Sequence, residues 1–291
     1  MMRTFWERPE FTDRDVRKHR PPQVAYSVSP EFMTLRHEAM LPADLVQGRS
    51  VLDLGCAVAA TGAWVLDAGA SAYTGVELQA GFCNIAQENL SQYYDRTRWN
   101  IVESEIESFV QNFAEHYDII VISGVLYGIA DYFGMLKDMA KITDLMVIEN
   151  LQPWRLTWAD GTPVPLDLQV RMNELPIVQY VPDIAHSDAV GNRSIKYQGT
   201  FMSIPALEAV VNHLGWSLDR TPADTLKRTI PELYDAETLS QQTPETTPNA
   251  IVYNNMPPRY AVWCRPNTNK QRQDFRQHYS HPEDQREYRT W

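Results

Sequence analysis

From residue 50 the chain alternates short apolar runs with longer amphipathic stretches. This rhythm predicts strands over 50–54, 72–76, 99–102, 117–123 and 144–149, with helices over 61–67, 81–92, 106–115 and 131–141 between them. The first of these helices stops near Gly69, and 117–123 is the most strand-like run in the chain. Strands that alternate with helices in this way form βαβ units, so the pattern predicts a parallel sheet with right-handed crossovers.

The flanks follow other patterns. A helix is expected to start after Ser29, with Pro30 in its first turn, carrying Phe32, Leu35, Met40, Leu45 and Val46 inward. After Glu149 the rhythm breaks, and 151–200, rich in Pro, Trp, Asp and Gln, reads as an irregular insertion. Regular structure is predicted again as a helix over 204–214 and a strand over 216–219. A polar connection with several Thr-Pro steps follows over 221–258, and the last strand spans 260–264. The remaining tail is highly charged and nearly without aliphatic residues, as expected of an arm outside the core. The division expected is an N-terminal extension and helix over 1–47, a main domain over 48–266 whose insertion at 151–200 covers the substrate, and a polar tail over 267–291.

Composition bounds the function. With 44% hydrophobic and 22% charged residues over 291 positions, the chain is that of a globular protein able to bury a full core. Its net charge of −11 disfavours tight binding to phosphate backbones, which are bound through Lys and Arg, and favours small-molecule or protein substrates. Cys56, Cys83 and Cys264 have neither disulfide nor metal-ligand spacing, so no metal is expected. The first ten residues lack the apolar core of a secretory signal. The longest apolar stretch, 119–130, is interrupted by Ser123, Gly124 and Gly128, and is shorter than the roughly 18–20 residues of a membrane helix. A reduced, cytoplasmic protein is the expectation; oligomeric state has no signal in the sequence.

Candidate chemistry begins at Val51-Leu-Asp-Leu-Gly-Cys-Ala-Val-Ala-Ala-Thr-Gly62. An acid at a strand end leads into a small-residue turn and a helix start, where a ligand can approach the backbone and meet free N–H groups. The next strand, Ala72-Tyr-Thr-Gly-Val-Glu77, ends in a carboxylate about 24 residues beyond Asp53, close to the offset at which Rossmann-like folds present an acid to ribose hydroxyls. Ligands of such sheets lie at the carboxyl ends of the strands, so Asp53, Gly55 and Glu77 are expected to converge on one crevice. No Gly-x-Gly-x-x-Gly is present, which argues against a dinucleotide.

These residues resemble the first glycine-rich loop of class I S-adenosylmethionine-dependent methyltransferases. The resemblance implies an α/β, Rossmann-like fold with a seven-stranded, mostly parallel sheet, a reversed last strand and helices on both faces. It further implies that Glu77 binds both ribose hydroxyls, that Leu78 flanks the adenine ring, and that Asp53 lies near the methionine amino group. Glu105 would take the exocyclic amine and Ile106 pack on the ring, while Ala57 in the loop and Ser123 at the fourth strand's end join the cofactor contacts. Ala57 and Ala59 stand where the family has glycines, and each adds a methyl group and disfavours positive φ.

Ser123-Gly-Val-Leu-Tyr-Gly128, Phe201-Met-Ser-Ile-Pro-Ala-Leu207 and Pro257-Pro-Arg-Tyr-Ala-Val262 are similar to segments of the bacterial tRNA wobble-uridine carboxymethyltransferase group. In that group the positions of Tyr127 and Arg259 hold the carboxylate of a carboxylated form of the cofactor, a task suited to a guanidinium fork. The fourth strand ends without Asn-Pro-Pro-aromatic, which argues against methylation of DNA exocyclic amines.

Methyl transfer from a sulfonium is an in-line displacement in which the protein mainly positions the reactants. A hydroxyl acceptor also needs a base, for which Asp131, His186 and His213 are candidates, with Tyr127 expected among the catalytic residues. Trp154 and Arg259 are expected, with Tyr127, to line the substrate pocket. Three functions remain open at this point. They are methyl transfer to a small-molecule hydroxyl or amine, transfer of a methyl or carboxymethyl group to tRNA, and a catalytically inactive cofactor-binding assembly partner.

Overall fold

The computed structural model describes residues 30–112, 115–153, 156, 158, 160–187, 194–231 and 259–267. In chain order the elements are α1 (Pro30–Met40), α2 (Ala43–Val46), β1 (Ser50–Leu54), α3 (Ala60–Asp67), β2 (Ala72–Glu77), α4 (Ala80–Ser91) and β3 (Trp99–Glu103). They continue through α5 (Ile106–Asn112), β4 (Ile119–Ser123), α6 (Tyr132–Ile142), β5 (Met146–Leu151), α7 (Leu166–Met172), β6 (Val178–Ser187) and β7 (Ser194–Met202). Last come α8 (Ile204–His213), β8 (Trp216–Asp219), α9 (Thr221–Thr229) and β9 (Arg259–Pro266), with 3-10 turns at Arg96–Arg98 and Leu126–Gly128.

Seven strands form one sheet in the order β3-β2-β1-β4-β5-β9-β8. The first five are parallel, and β9 runs antiparallel between β5 and β8. This is the mostly parallel sheet with a reversed last strand expected from the sequence.

Strand periodicity sorts the core into two layers. Val51, Ile119, Val121 and Val147 pack on the side of α1 and α3, while Leu52, Leu54, Ile120, Ile122 and Ile148 pack on the side of α6 and α8. Helices cover both faces, so Ile119–Ile122 are fully buried although no polar residue alternates with them. The same period puts Asp53, Ser123 and Glu149 on the α1 face at the carboxyl ends of β1, β4 and β5.

Three stretches differ from the sequence expectation. The N-terminal helix breaks at Leu41-Pro42, because proline disfavours the helical conformation of the residue before it. The stretch read as an irregular insertion holds α7 and a two-stranded antiparallel sheet, β6–β7, which lacks the clean apolar alternation of a half-buried hairpin. The polar connection begins with α9, whose Pro222 sits in the first turn and whose Leu226 is buried against α1's layer. Among the described residues no helix is long and apolar enough to cross a membrane. One group of metal-ligand type occurs among them, His116, Asp118 and Asp144, at the amino ends of β4 and β5, away from the carboxyl ends.

Candidate functional site

The crevice is built at the end of β1. Gly55 turns the chain at φ +82°, and a Cβ there would stand 2.5 Å from Val125 Cγ1, so only glycine fits. The loop then returns toward β2, with the Gly55 and Cys56 N–H groups donating to the Val76 carbonyl. Ala57 and Ala59 adopt φ of 47° and 62°, the only positive values at non-glycine positions among the described residues. The expectation that alanine avoids this region is thus overridden here, and the loop holds a conformation that alanine disfavours.

Glu77 fixes the loop from the next strand. Its carboxylate accepts the Ala57 N–H at 3.1 Å through Oε2 and the Gln79 N–H at 2.9 Å through Oε1. Burial raises the Glu77 pKa, and these amides partly offset it. Asp53 faces it across the crevice, 2% exposed, and accepts the Tyr73 hydroxyl at 3.0 Å. Burial pushes the Asp53 carboxyl up to about 7, against the pull of Tyr73 and the Arg36 guanidinium, while the Glu77 charge adds to the rise. Tyr73 reaches Asp53 because two glycines make room for its ring. A Cβ at Gly62 would lie 2.4 Å from the ring, and one at Gly75 would lie 2.8 Å from the hydroxyl.

A second charged cluster sits at the ends of β4 and β5. Glu149, 1% exposed, accepts Arg36 Nε at 3.1 Å and Nη2 at 2.6 Å, and the Ser123 hydroxyl at 2.5 Å. Arg36 Nη2 also donates to Ser123 Oγ. Arg259 Nη1 approaches Glu149 to 3.7 Å from the antiparallel neighbour. Burial alone would raise the Glu149 carboxyl, but both guanidiniums and the hydrogen bonds reverse this and hold it well below the usual range. Beside Arg36, His37 is fully buried, with Nδ1 2.7 Å from the Met33 carbonyl and Nε2 3.2 Å from Thr61 Oγ1. A carbonyl only accepts, so Nδ1 carries the proton and Nε2 is the acceptor, faced by the Thr61 hydroxyl and, at 3.4 Å, by Arg36 Nη1. Burial and Arg36 push the His37 pKa down to about 3, which keeps the ring neutral.

The other sequence-derived candidates are distributed as follows. Leu78 is 48% exposed at the end of β2. The Ser104 N–H donates to the Glu77 carbonyl, which brings the exposed Glu105 and half-buried Ile106 beside the same strand end. Tyr127 lies in the turn after β4, its ring centroid 5.9 Å from that of Phe201 in β7, so the hairpin closes over this turn. Asp131 is exposed and caps α6, accepting the Gly134 N–H at 2.8 Å. The backbone of His186 pairs with Ile195 in the hairpin; its side chain, like Trp154, lies outside the described residues. Arg36, His37, Tyr73 and Glu149 belong to the site and were missed in the sequence. Tyr73 and Glu149 had a signal, a polar group in or ending a predicted strand beside the loop, whereas α1 gives no hint of where it packs.

Residues 52–144 match a family model described as Methyltransferase domain. The solved structure named DhpI-SAM-HEP complex is 12% identical, with 90% of this chain and 94% of that one covered and a TM-score of 0.53. An S-adenosylmethionine dependent methyltransferase from Mesorhizobium loti is 18% identical, with 81% and 97% covered and a TM-score of 0.48. Magnesium protoporphyrin IX methyltransferase from Synechocystis, solved with bound SAH, is 15% identical, with 74% and 84% covered and a TM-score of 0.46. No curated protein matches the sequence.

Proposed function

We propose, from the premise that residues 52–144 form a class I methyltransferase domain, that this protein transfers the methyl group of S-adenosylmethionine to a small-molecule hydroxyl or amine. The observation that carries this is the pair of buried carboxylates, Asp53 and Glu77, on either side of a positive-φ loop at the carboxyl ends of adjacent parallel strands.

The cofactor fits the residues present. Gly55 lets the loop turn at positive φ tightly against Val125, Glu77 offers an acceptor to ribose hydroxyls, and Asp53 offers a negative charge to an ammonium. Leu78 supplies an exposed apolar side chain for a purine face, with Ile106 and the Glu105 acceptor beside it. When bound, the cofactor supplies a methyl group on a positively charged sulfur, a good leaving group. The protein's own part is orientation. Glu77 and the loop fix one end, Ser123 and Tyr127 border the acceptor side, and the β6–β7 hairpin packs over the Tyr127 turn. An amine acceptor needs only to arrive unprotonated, whereas a hydroxyl needs Asp131, His186 or Tyr127 to take its proton.

Asp53 makes cofactor affinity depend on pH. Its carboxyl is raised to about 7, so it is ionised above that value and neutral below it. Attraction for a cationic ammonium is therefore nearly complete above about pH 8 and lost as pH falls through 7. Affinity for S-adenosylhomocysteine, measured by calorimetry, is expected to fall by up to about tenfold per pH unit below 7. Asp53→Asn should flatten that slope, and a wild-type slope surviving in the variant would remove Asp53 from this role.

A second reading, transfer of a methyl or carboxymethyl group to tRNA, is favoured by Arg259. Its side chain is 21% exposed, and it stands 3.7 Å from a Glu149 carboxylate that already accepts Arg36 and Ser123. Net charge of −11 weighs against it. Calorimetric titration with S-adenosylmethionine, S-adenosylhomocysteine and the carboxylated cofactor separates the readings. Binding of the first two is expected. A marked preference for the carboxylated form would favour tRNA, and no binding of any would overturn the enzymatic readings and leave an assembly role that does not use the cofactor.

A further inference from the structure

We propose that His37 is a positioning residue whose hydrogen bond with Thr61 holds the glycine-poor cofactor loop in its left-handed conformation. The N-terminal helix thereby supplies a restraint that glycines would make unnecessary. This rests on reading the crevice as a cofactor site.

A residue with a Cβ keeps a positive φ only where its surroundings fix it there, and this loop has two such residues within three positions. Its restraints come from two sides. On the β2 and α4 side, the Glu77 carboxylate accepts the Ala57 N–H and the Asn89 amide donates to the Val58 carbonyl at 3.3 Å. On the other side the contact is His37 with Thr61, the second residue of α3. Ala59 is the N-cap of that helix, with φ 62° and ψ 35°, so whatever pins the first turn also sets the Ala59 backbone.

His37 is itself well fixed. Its Nδ1–H is committed to Met33 within α1, and its ring lies 5.5 Å from that of Trp64 on α3. Trp64 Nε1 donates to the Leu41 carbonyl, and Trp263 Nε1 to the Met40 carbonyl, each at 2.8 Å. Arg36, one residue before, ties the same helix to Glu149. Trp263 and Glu149 thus anchor α1 on the sheet, Trp64 ties it to the body of α3, and through His37 it presents an acceptor to the first turn of that helix. With both ring nitrogens engaged and the side chain fully buried, His37 holds position rather than carrying protons.

The test is a set of double-mutant cycles on the full chain, reading S-adenosylhomocysteine binding by calorimetry and apo-protein melting separately. H37A is expected to raise the Kd about tenfold, the scale of one strained left-handed residue. T61V, which removes the hydroxyl and nearly keeps the volume, is expected to do the same and serves if H37A folds poorly. In an A59G background, where the strain at the helix N-cap is relieved and only Ala57, held by Glu77, keeps a strained φ, either effect should shrink to about twofold or less. The melting deficit of H37A should persist in that background, since the cavity and lost hydrogen bond remain. A purely structural His37 would lose binding equally in both backgrounds, and that result overturns the proposal, as does wild-type affinity in both H37A and T61V. Wild-type protein that binds no S-adenosylhomocysteine would instead sink the cofactor-site reading, and this inference with it.

Discussion

Glu77→Ala is expected to weaken S-adenosylhomocysteine binding by at least about a hundredfold while leaving the protein folded. Hydrogen bonds to a charged group contribute about 1.5–3 kcal/mol each, so two ribose hydroxyls correspond to roughly two to four powers of ten. The same carboxylate accepts the Ala57 and Gln79 N–H groups, so its removal also frees the loop that shapes the crevice. The apo fold should tolerate the change, because burial raises the Glu77 pKa and the ionised group is therefore held at a disadvantage. Glu77→Gln keeps the shape and one acceptor but not the charge, and should fall between the two. Calorimetry reports the affinity and thermal melting the fold. An unchanged Kd in the alanine variant would place the cofactor elsewhere.

The largest loss of stability is expected from Arg36→Ala. Glu149 is almost fully buried and takes three hydrogen bonds from Arg36. Removing the cation from such a pair leaves an uncompensated buried charge, which typically destabilises by about 3–5 kcal/mol. Arg259, 3.7 Å from the same carboxylate, should hold the loss toward the lower end of that range. Urea denaturation is the measurement, with an unchanged m-value showing that stability and not compactness has moved. Adding Glu149→Gln to Arg36→Ala removes the orphaned charge and should recover most of the loss. If the double variant is no more stable than the single one, packing of the arginine stem, and not charge, is what α1 contributes.

The strand rhythm from residue 50 was legible because helices cover both sheet faces, so the central strand β4 carries a continuous apolar run and β1, β2 and β5 are largely buried, while the edge strand β3 alternates. Asp53, Gly55 and Glu77 were legible for a related reason. Parallel strands put their carboxyl ends on one edge, and a polar residue ending an apolar run marks that edge. Arg36 and His37 were not legible, since an amphipathic helix reveals which side faces inward but not which part of the sheet it meets. Nor was the burial of Glu149 at the end of β5. A lone acid there reads as a solvated strand end until its two arginines, from opposite ends of the sequence, are known. The hairpin at β6–β7 was missed because most of its contacts are between its own two strands, which leaves a weaker apolar signature than core strands show.

The position of β9 bears on how the chain is made. Asn150 and Tyr260 are direct partners in the ladder yet lie 110 residues apart in sequence. Until the last strand emerges from the ribosome, β5 has a bare hydrogen-bonding edge, and β8 has no neighbour in the sheet at all. An exposed apolar edge of this kind recruits other chains. Closing so long a loop is also a slow step, favoured only once the strand pairs it brings together begin to form. The domain therefore completes itself from the end backwards, and a chain stopped short of Arg259 would be a different, stickier molecule rather than a smaller version of this one.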